Sequence, residues 1–268
     1  MNSSVESIVP FNQFIDSAQG DHLHENRGDW LSEIKEKGRI EFYKLGWPSP
    51  KFESWRYTNL NKLAKTQFFL PQDIELAELP YQDILPVDAP KIALVNGKFN
   101  RELSDLSTIG EGILVNNFQE MSDEQRALFS LENPTTLPKE GLPVKALNDA
   151  ILSDVLFIEI RPGWQSDVPL HIVSIGCGDH VGFSSKIFVS AGENCHLDIV
   201  ESHAGEHGST YFSSCVSNID IKAGASTVYT DYMGYAFTES NGTYNQDNHY
   251  STSERKLHMQ FEIGRAHV

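Results

Sequence analysis

At 268 residues the chain is long enough for a large core, arranged as one extended domain or two. With 21 Lys and Arg against 37 Asp and Glu, its formal net charge of −16 disfavours a surface built to neutralise phosphates, which argues against nucleic acid and membrane as partners. Cys177, Cys195 and Cys215 occur without a CxxC pair, and no signal peptide or apolar span is evident, so reduced thiols in a cytoplasmic protein are expected rather than a disulfide framework or zinc knuckle.

In chain order, Leu31, Ile34, Phe42 and Leu45 recur at near-helical spacing from Asp29, a candidate N-cap, to a stop at Gly46 and Pro48. Gly38 weakens that helix. A proline-bounded turn then leads into "KFESWRYTNLNKL", where Thr58 is a candidate cap for a helix through Leu60, Leu63 and Ala64 that ends at Pro71. Trp55, Arg56 and Tyr57 side by side suggest a stacking platform for bases, but no basic stripe accompanies them. The better reading is a latch, with Trp55 and Tyr57 buried and Arg56 paired to an acid such as Glu53. Residues 1–80 are therefore expected to form a helical subdomain.

Residues 81–150 read as a mixed α/β connecting segment. "PKIALVNGKFN" is a β run closed by Asn96-Gly97, a pair that tolerates positive φ, and "EGILVNNF" repeats the idea. Short helices are expected at Asp123 to Ser130 and at Val144 to Ala150.

From 151 to 261 nearly every stretch reads as strand, and "FIEIRPG", "IFVSAG" and "IDIKAG" echo one another. Their glycines, Gly163, Gly192 and Gly224, are 29 and 32 residues apart, and each is expected to take φ > 0 in a turn between strands. A strand–turn–strand unit cannot bury its apolar face alone, so recurrence at this period points to a stacked solenoid, with a β-sandwich as the alternative.

The patch "CHLDIVESHAGEHG" gathers His196, Glu201, His203 and His207, the obvious metal candidates, beside Cys195 and Asp198. Strand alternation turns Cys195, Leu197 and Ile199 to a core face and His196 and Asp198 away, while "HAGEHG" reads as a loop without an HExxH pair. No G-x-S-x-G, Walker loop or G-x-G-x-x-G occurs, and Tyr229, Tyr232, Tyr235, Phe237 and Tyr244 are too irregular for a sugar groove. No catalytic, cofactor-binding or metal-ligating residue is nominated. The rival to a non-catalytic protein is a stand-alone β-fold metal-binding enzyme using His196, Glu201, His203 and His207.

Three stretches together resemble one family, the SufD subunit of the SUF iron–sulfur cluster assembly system. They are E-x-W-R-Y-T-x-L at Glu53 to Leu60, "VNGKFNRELSDL" at Val95 to Leu106, and "ALNDAILSDVLFIEIRPGWQSDVPLHIVSI" at Ala146 to Ile175. The resemblance covers residues 28 to 261 and implies a mainly β protein, an incomplete right-handed parallel β-helix preceded by an N-terminal α-helical subdomain. It also implies a scaffold without enzyme activity that pairs with SufB, with SufC as the ATPase. The iron–sulfur cluster would be assembled by the complex rather than bound by this chain.

The family continues beyond position 268, through a late C-S-H-G-A type segment and SufC-binding helices, so a C-terminally truncated fragment is expected, with the cluster-ligand residues in the missing part. The last seven residues, "EIGRAHV", match what a common sequencing adapter encodes, so 262–268 are expected to be a non-native tail.

Overall fold

The computed structural model describes residues 10–19, 29–48, 50–57, 60–74, 76, 89–130, 139–205, 209–225, 229–233 and 254–263, the last two by backbone alone. Helix α1 (Pro10–Ser17), not foreseen from the sequence, buries Phe11, Phe14 and Ile15. Helix α2 (Asp29–Leu45) has the expected range and stops where Gly46 adopts φ 71°, its N–H returning to the Phe42 carbonyl at 2.7 Å.

Gly38 in the middle of α2 has a specific cause. A Cβ there would lie 2.4 Å from the Asp149 Cβ and 2.5 Å from the Ala150 nitrogen, so glycine is what lets α2 close onto α5 (Leu142–Ala150). Helix α5 starts two residues before the expected Val144, with Pro143 in its first turn. Helix α4 (Asp123–Ser130) lies where expected.

The helix predicted to reach Pro71 is shorter. Helix α3 (Asn61–Lys65) ends at Thr66, which is extended at φ −82° and ψ 135°. Sheet hydrogen bonding wins over helix propensity here: the Phe69 N–H donates to the His180 carbonyl at 2.8 Å and the Gly182 N–H donates to Phe69 at 2.9 Å. Thr58 lies outside the described residues.

Strands β1 (Lys91–Val95) and β2 (Lys98–Asp105) form the expected hairpin, with Asn96 at φ 49° and Gly97 at φ 78°. After β3 (Ile113–Asn117) come β4 (Leu152–Ile160), β5 (Leu170–Gly176), β6 (Val181–Ala191), β7 (Ile199–Gly205), β8 (Thr210–Ile221), β9 (Tyr229–Met233) and β10 (Glu254–Ile263). From β4 to β9 successive strands alternate between two five-stranded sheets, ordered β2-β1-β5-β7-β9 and β10-β8-β6-β4-β3. The neighbours β1-β5-β7-β9 and β4-β6-β8 are parallel, while the pairs with β2, β3 and β10 are antiparallel. Strand β10 includes Glu262 and Ile263 of the expected tail, and 264–268 lie outside the described residues.

The glycine echo marks a real stack of turns with one correction. Ile160 pairs with Ala191 and Ala191 with Ile221, so the left-handed position falls on Gly163 (φ 73°), Asn194 (φ 56°) and Gly224 (φ 71°). Backbone bonds from Gly163 to Glu193 (2.7 Å) and from Asn194 to Ala223 (3.0 Å) tie each turn to the next. Gly192 has no positive φ; it is small because a Cβ would lie 2.6 Å from both the Ile160 oxygen and the Pro162 nitrogen.

Facing apolar side chains of the two sheets, among them Ile92, Ile158, Ile172, Val189 and Ile199, form the main core. Every residue of β5 and β6 is buried, the pattern of parallel strands covered on both faces. On the outer side of β6 and β8, Asn148 of α5 donates to the carbonyls of Ser185 (3.1 Å) and Ser214 (3.0 Å), and Ser184 donates back to the Asn148 carbonyl at 2.6 Å. Beside it the Lys186 ammonium lies 2.6 Å from the Asp149 carboxylate, which Lys145 also reaches at 2.9 Å.

Candidate functional site

The alternation of β7 splits the expected metal patch. Ile199, Glu201 and His203 share the inward face, and Glu201 and His203 are each 2% exposed. Their Oε1 and Nε2 atoms are 3.1 Å apart. His203 and Gly205 belong to the strand rather than to the expected loop, which corrects the reading of "HAGEHG". His196 stays away from this pair: it is 38% exposed and lies 3.9 Å from Asp198. His207 is outside the described residues.

Two residues of β8 complete the inner patch: Cys215, read from the sequence only as a reduced thiol, and Ser217, which the sequence did not single out. The Ser217 hydroxyl donates to Glu201 Oε2 at 3.1 Å, and the Cys215 sulfur lies 3.8 Å from that hydroxyl. Burial, with the Glu201 charge adding to it, pushes the Cys215 thiol well above its ordinary pKa. Thiol, hydroxyl, carboxylate and imidazole thus lie in one buried line, able to share a proton. The signal was present in the alternation of "YFSSCVSNIDI", which turns Cys215 and Ser217 to one face, but only the packing of the two sheets against each other shows that this face meets Glu201 of β7. Among residues with described side chains, no three of His, Cys, Asp and Glu form a group that could hold a metal ion.

Cys195, Leu197 and Ile199 are core residues, as the alternation predicts, at 2%, 1% and 0% exposure. Cys177 is buried as well, and the Asn96 side chain brackets its peptide, accepting from its N–H at 2.8 Å and donating to its carbonyl at 3.1 Å.

Three further buried titratable groups belong to the packing. Burial opposes ionisation of Asp149, yet Lys186 and Lys145 hold its carboxyl below the usual range. Asp154 accepts backbone N–H bonds from Phe99, Phe118 and Val155, but burial dominates and pushes its pKa up to about 6. Burial, with Lys91 nearby, lowers the His171 pKa to about 4, and its Nε2 lies 2.7 Å from the Ser202 hydroxyl.

The Trp-Arg-Tyr latch is half right. Trp55 packs against the cluster around Phe11 and Phe42, and Arg56 meets Glu53 at 3.3 Å. Tyr57, expected to be buried, is 89% exposed. A single 3₁₀ turn at Glu53–Trp55 points Trp55 inward, and two residues later the chain has rotated Tyr57 to the solvent side. The side chains of Tyr229, Tyr232, Tyr235, Phe237 and Tyr244 lie outside the described residues.

Residues 11–172 match the family model described as the SufBD protein N-terminal region. The chain is also 24% identical over 216 residues to the iron-sulfur cluster assembly protein SufD of Escherichia coli, an alignment covering 77% of this chain and 47% of that protein. The chain thus spans about half the length of the curated relative it matches. No described helix is long and apolar enough to cross a membrane. With a match running from α1 into β5, over more than half its residues, the chain belongs to the SufBD family.

Proposed function

We propose that the protein is a SufD-type scaffold in a SufB–SufC–SufD complex that assembles iron–sulfur clusters in the cytoplasm. In this reading it forms the assembly interface with a SufB-like subunit, anchors a SufC-like ATPase and performs no catalytic step itself. The family match together with the SufD relative carries the reading. The strand order favours a right-handed parallel β-helix as its body, because strands alternate between sheets while in-sheet neighbours from β4 to β9 stay parallel. Stacked turns of this kind make a stiff, extended surface suited to holding partners.

The rival metal-binding enzyme needs His196, Glu201, His203 and His207 in one place, and the exposure of His196 beside Asp198 speaks against it. The iron–sulfur cluster is cargo of the complex, with no resident cofactor assigned to this chain.

Deleting the gene and measuring cluster occupancy of client iron–sulfur proteins under iron limitation tests the proposal. Lower occupancy, restored by the gene in trans, is expected. Unchanged occupancy in a cell whose other assembly systems are disabled would sink it.

A further inference from the structure

In a chain of net charge −16, one short segment has the opposite sign. "KFESWRYTNLNKLAK", residues 51–65, holds Lys51, Arg56, Lys62 and Lys65 against a single acid, Glu53. The charges that flank it in sequence are paired: Lys44 with Glu41 at 3.5 Å, and Asp73 with Lys98 at 3.1 Å. Inside the segment Arg56 meets Glu53 with both side chains more than half exposed, a contact that water and salt screen. Lys62 and Lys65 make no ion pair among the described residues.

The core holds this segment in place from beneath. Trp55, Leu60 and Leu63 pack into the cluster around Phe11 and Phe42, and the Trp55 N–H donates to the Phe52 carbonyl at 3.0 Å to close the 3₁₀ turn. With those three side chains turned inward, Phe52, Arg56, Tyr57, Lys62 and Lys65 are all exposed. By chain length Tyr57 and Lys65 stand at most about 20 Å apart, the span of about six extended residues. Tyr, Phe and Arg are enriched where proteins meet, and a platform ordered before contact loses little entropy on binding.

We propose that Phe52, Arg56 and Tyr57, flanked by Lys62 and Lys65, form a docking platform for a short acidic segment of a partner protein that carries an apolar side chain. Carboxylates of that segment meet the cations, and its apolar side chain lies against Phe52 and Tyr57. Charge complementarity selects this occupant. The run of cations stops at Lys65 and the next charged residue is Asp73, so the platform fits a short peptide rather than the length of a nucleic-acid backbone. A second copy docking through the same face would set like charges against one another. The inference goes beyond the scaffold reading and does not rest on it.

The test titrates the 268-residue chain into fluorescein-labelled peptides of about eight residues, made of Glu and Asp with one Leu, Phe or Trp, and follows fluorescence anisotropy. An oligothymidylate is the competing probe, and sedimentation velocity of the chain alone reports self-association. Binding of an acidic peptide is expected, weakened about tenfold or more by Tyr57→Ser and by the double variant Lys62→Glu, Lys65→Glu. The double variant Lys37→Glu, Lys222→Glu makes the same change in net charge at exposed lysines elsewhere and should bind as the parent does. Thermal melts check that each variant keeps the fold, and with two independent variants the test stands if one fails to fold. No binding of any acidic peptide, or equal weakening in the Lys37 and Lys222 control, would overturn the proposal. Tighter binding of oligothymidylate would overturn it in favour of nucleic acid, and self-association abolished by Tyr57→Ser would overturn it in favour of a second copy.

Discussion

Replacing Gly38 by alanine sets local propensity against packing. In an exposed helix interior, alanine is favoured over glycine by about 1 kcal/mol. In this protein the new Cβ would sit 2.4 Å from the Asp149 Cβ and 2.5 Å from the Ala150 nitrogen. A backbone atom cannot yield by a rotamer change, so α2 and α5 must separate. Overpacking of this kind costs typically 1–3 kcal/mol and occasionally more. The separation also pulls on Asn148 and Asp149, which anchor α5 to β6 and β8. With the two steric contacts placing the cost at the upper part of that range, Gly38→Ala is expected to lose about 1–2 kcal/mol net, a roughly five- to thirty-fold shift in the folding equilibrium. Urea denaturation of the variant and the unaltered chain, followed by far-ultraviolet circular dichroism, measures it. A variant as stable as the parent, or more so, would refute the close α2–α5 contact.

Asn148→Ala leaves the carbonyls of Ser185 and Ser214 without their side-chain donor and is expected to cost about 2–4 kcal/mol, with Asn148→Asp worse because it sets a carboxylate against them; a cost below about 1 kcal/mol in the same denaturation assay would count against this role. His171 is held near pKa 4 against an ordinary 6.5, so its contribution is present above pH 6.5 and lost as pH falls towards 4, by at most about 3 kcal/mol. A His171→Gln variant should lack that acid-side loss, and identical stability–pH curves would contradict it. Asp154, raised to about 6 from 3.8, acts with the opposite sign: its contribution is present below pH 3.8 and declines as pH rises through 6. The stability of Asp154→Asn relative to the parent should therefore improve across that interval, and a difference that does not change with pH would rule this out. Cys195→Ser puts a hydroxyl among Leu197 and Ile199 and is expected to cost about 1–3 kcal/mol while leaving cluster assembly by the complete complex intact; lost assembly with unchanged stability would reassign Cys195.

Local chemistry was legible where the cause is local. The Asn96-Gly97 hairpin, the Asp29–Leu45 helix and the core placement of Cys195 all follow from turn residues or periodicity a few positions long. Features set by distant contacts were not. Helix α3 stops early because Phe69 joins the strand at Val181, a bond partner more than a hundred residues away. The echo was placed on three glycines, but Asn194 occupies one of the left-handed positions, since asparagine also tolerates αL and Gly192 is required for close approach instead. The inner patch was half visible: Glu201 and His203 stood out by composition, while the contact with Ser217 and Cys215 depends on how the two sheets pack face to face. Tyr57 was misplaced because adjacency to Trp55 in sequence says nothing about the direction of a 3₁₀ turn.

The most direct test of the scaffold assignment is to co-express the complete gene product with the SufB-like and SufC-like subunits of the same source and weigh the purified assembly by native mass spectrometry. The account predicts a defined complex containing all three chains, with ATP hydrolysis confined to the SufC-like subunit. Recovery of this protein alone, while the other two associate normally, would contradict it.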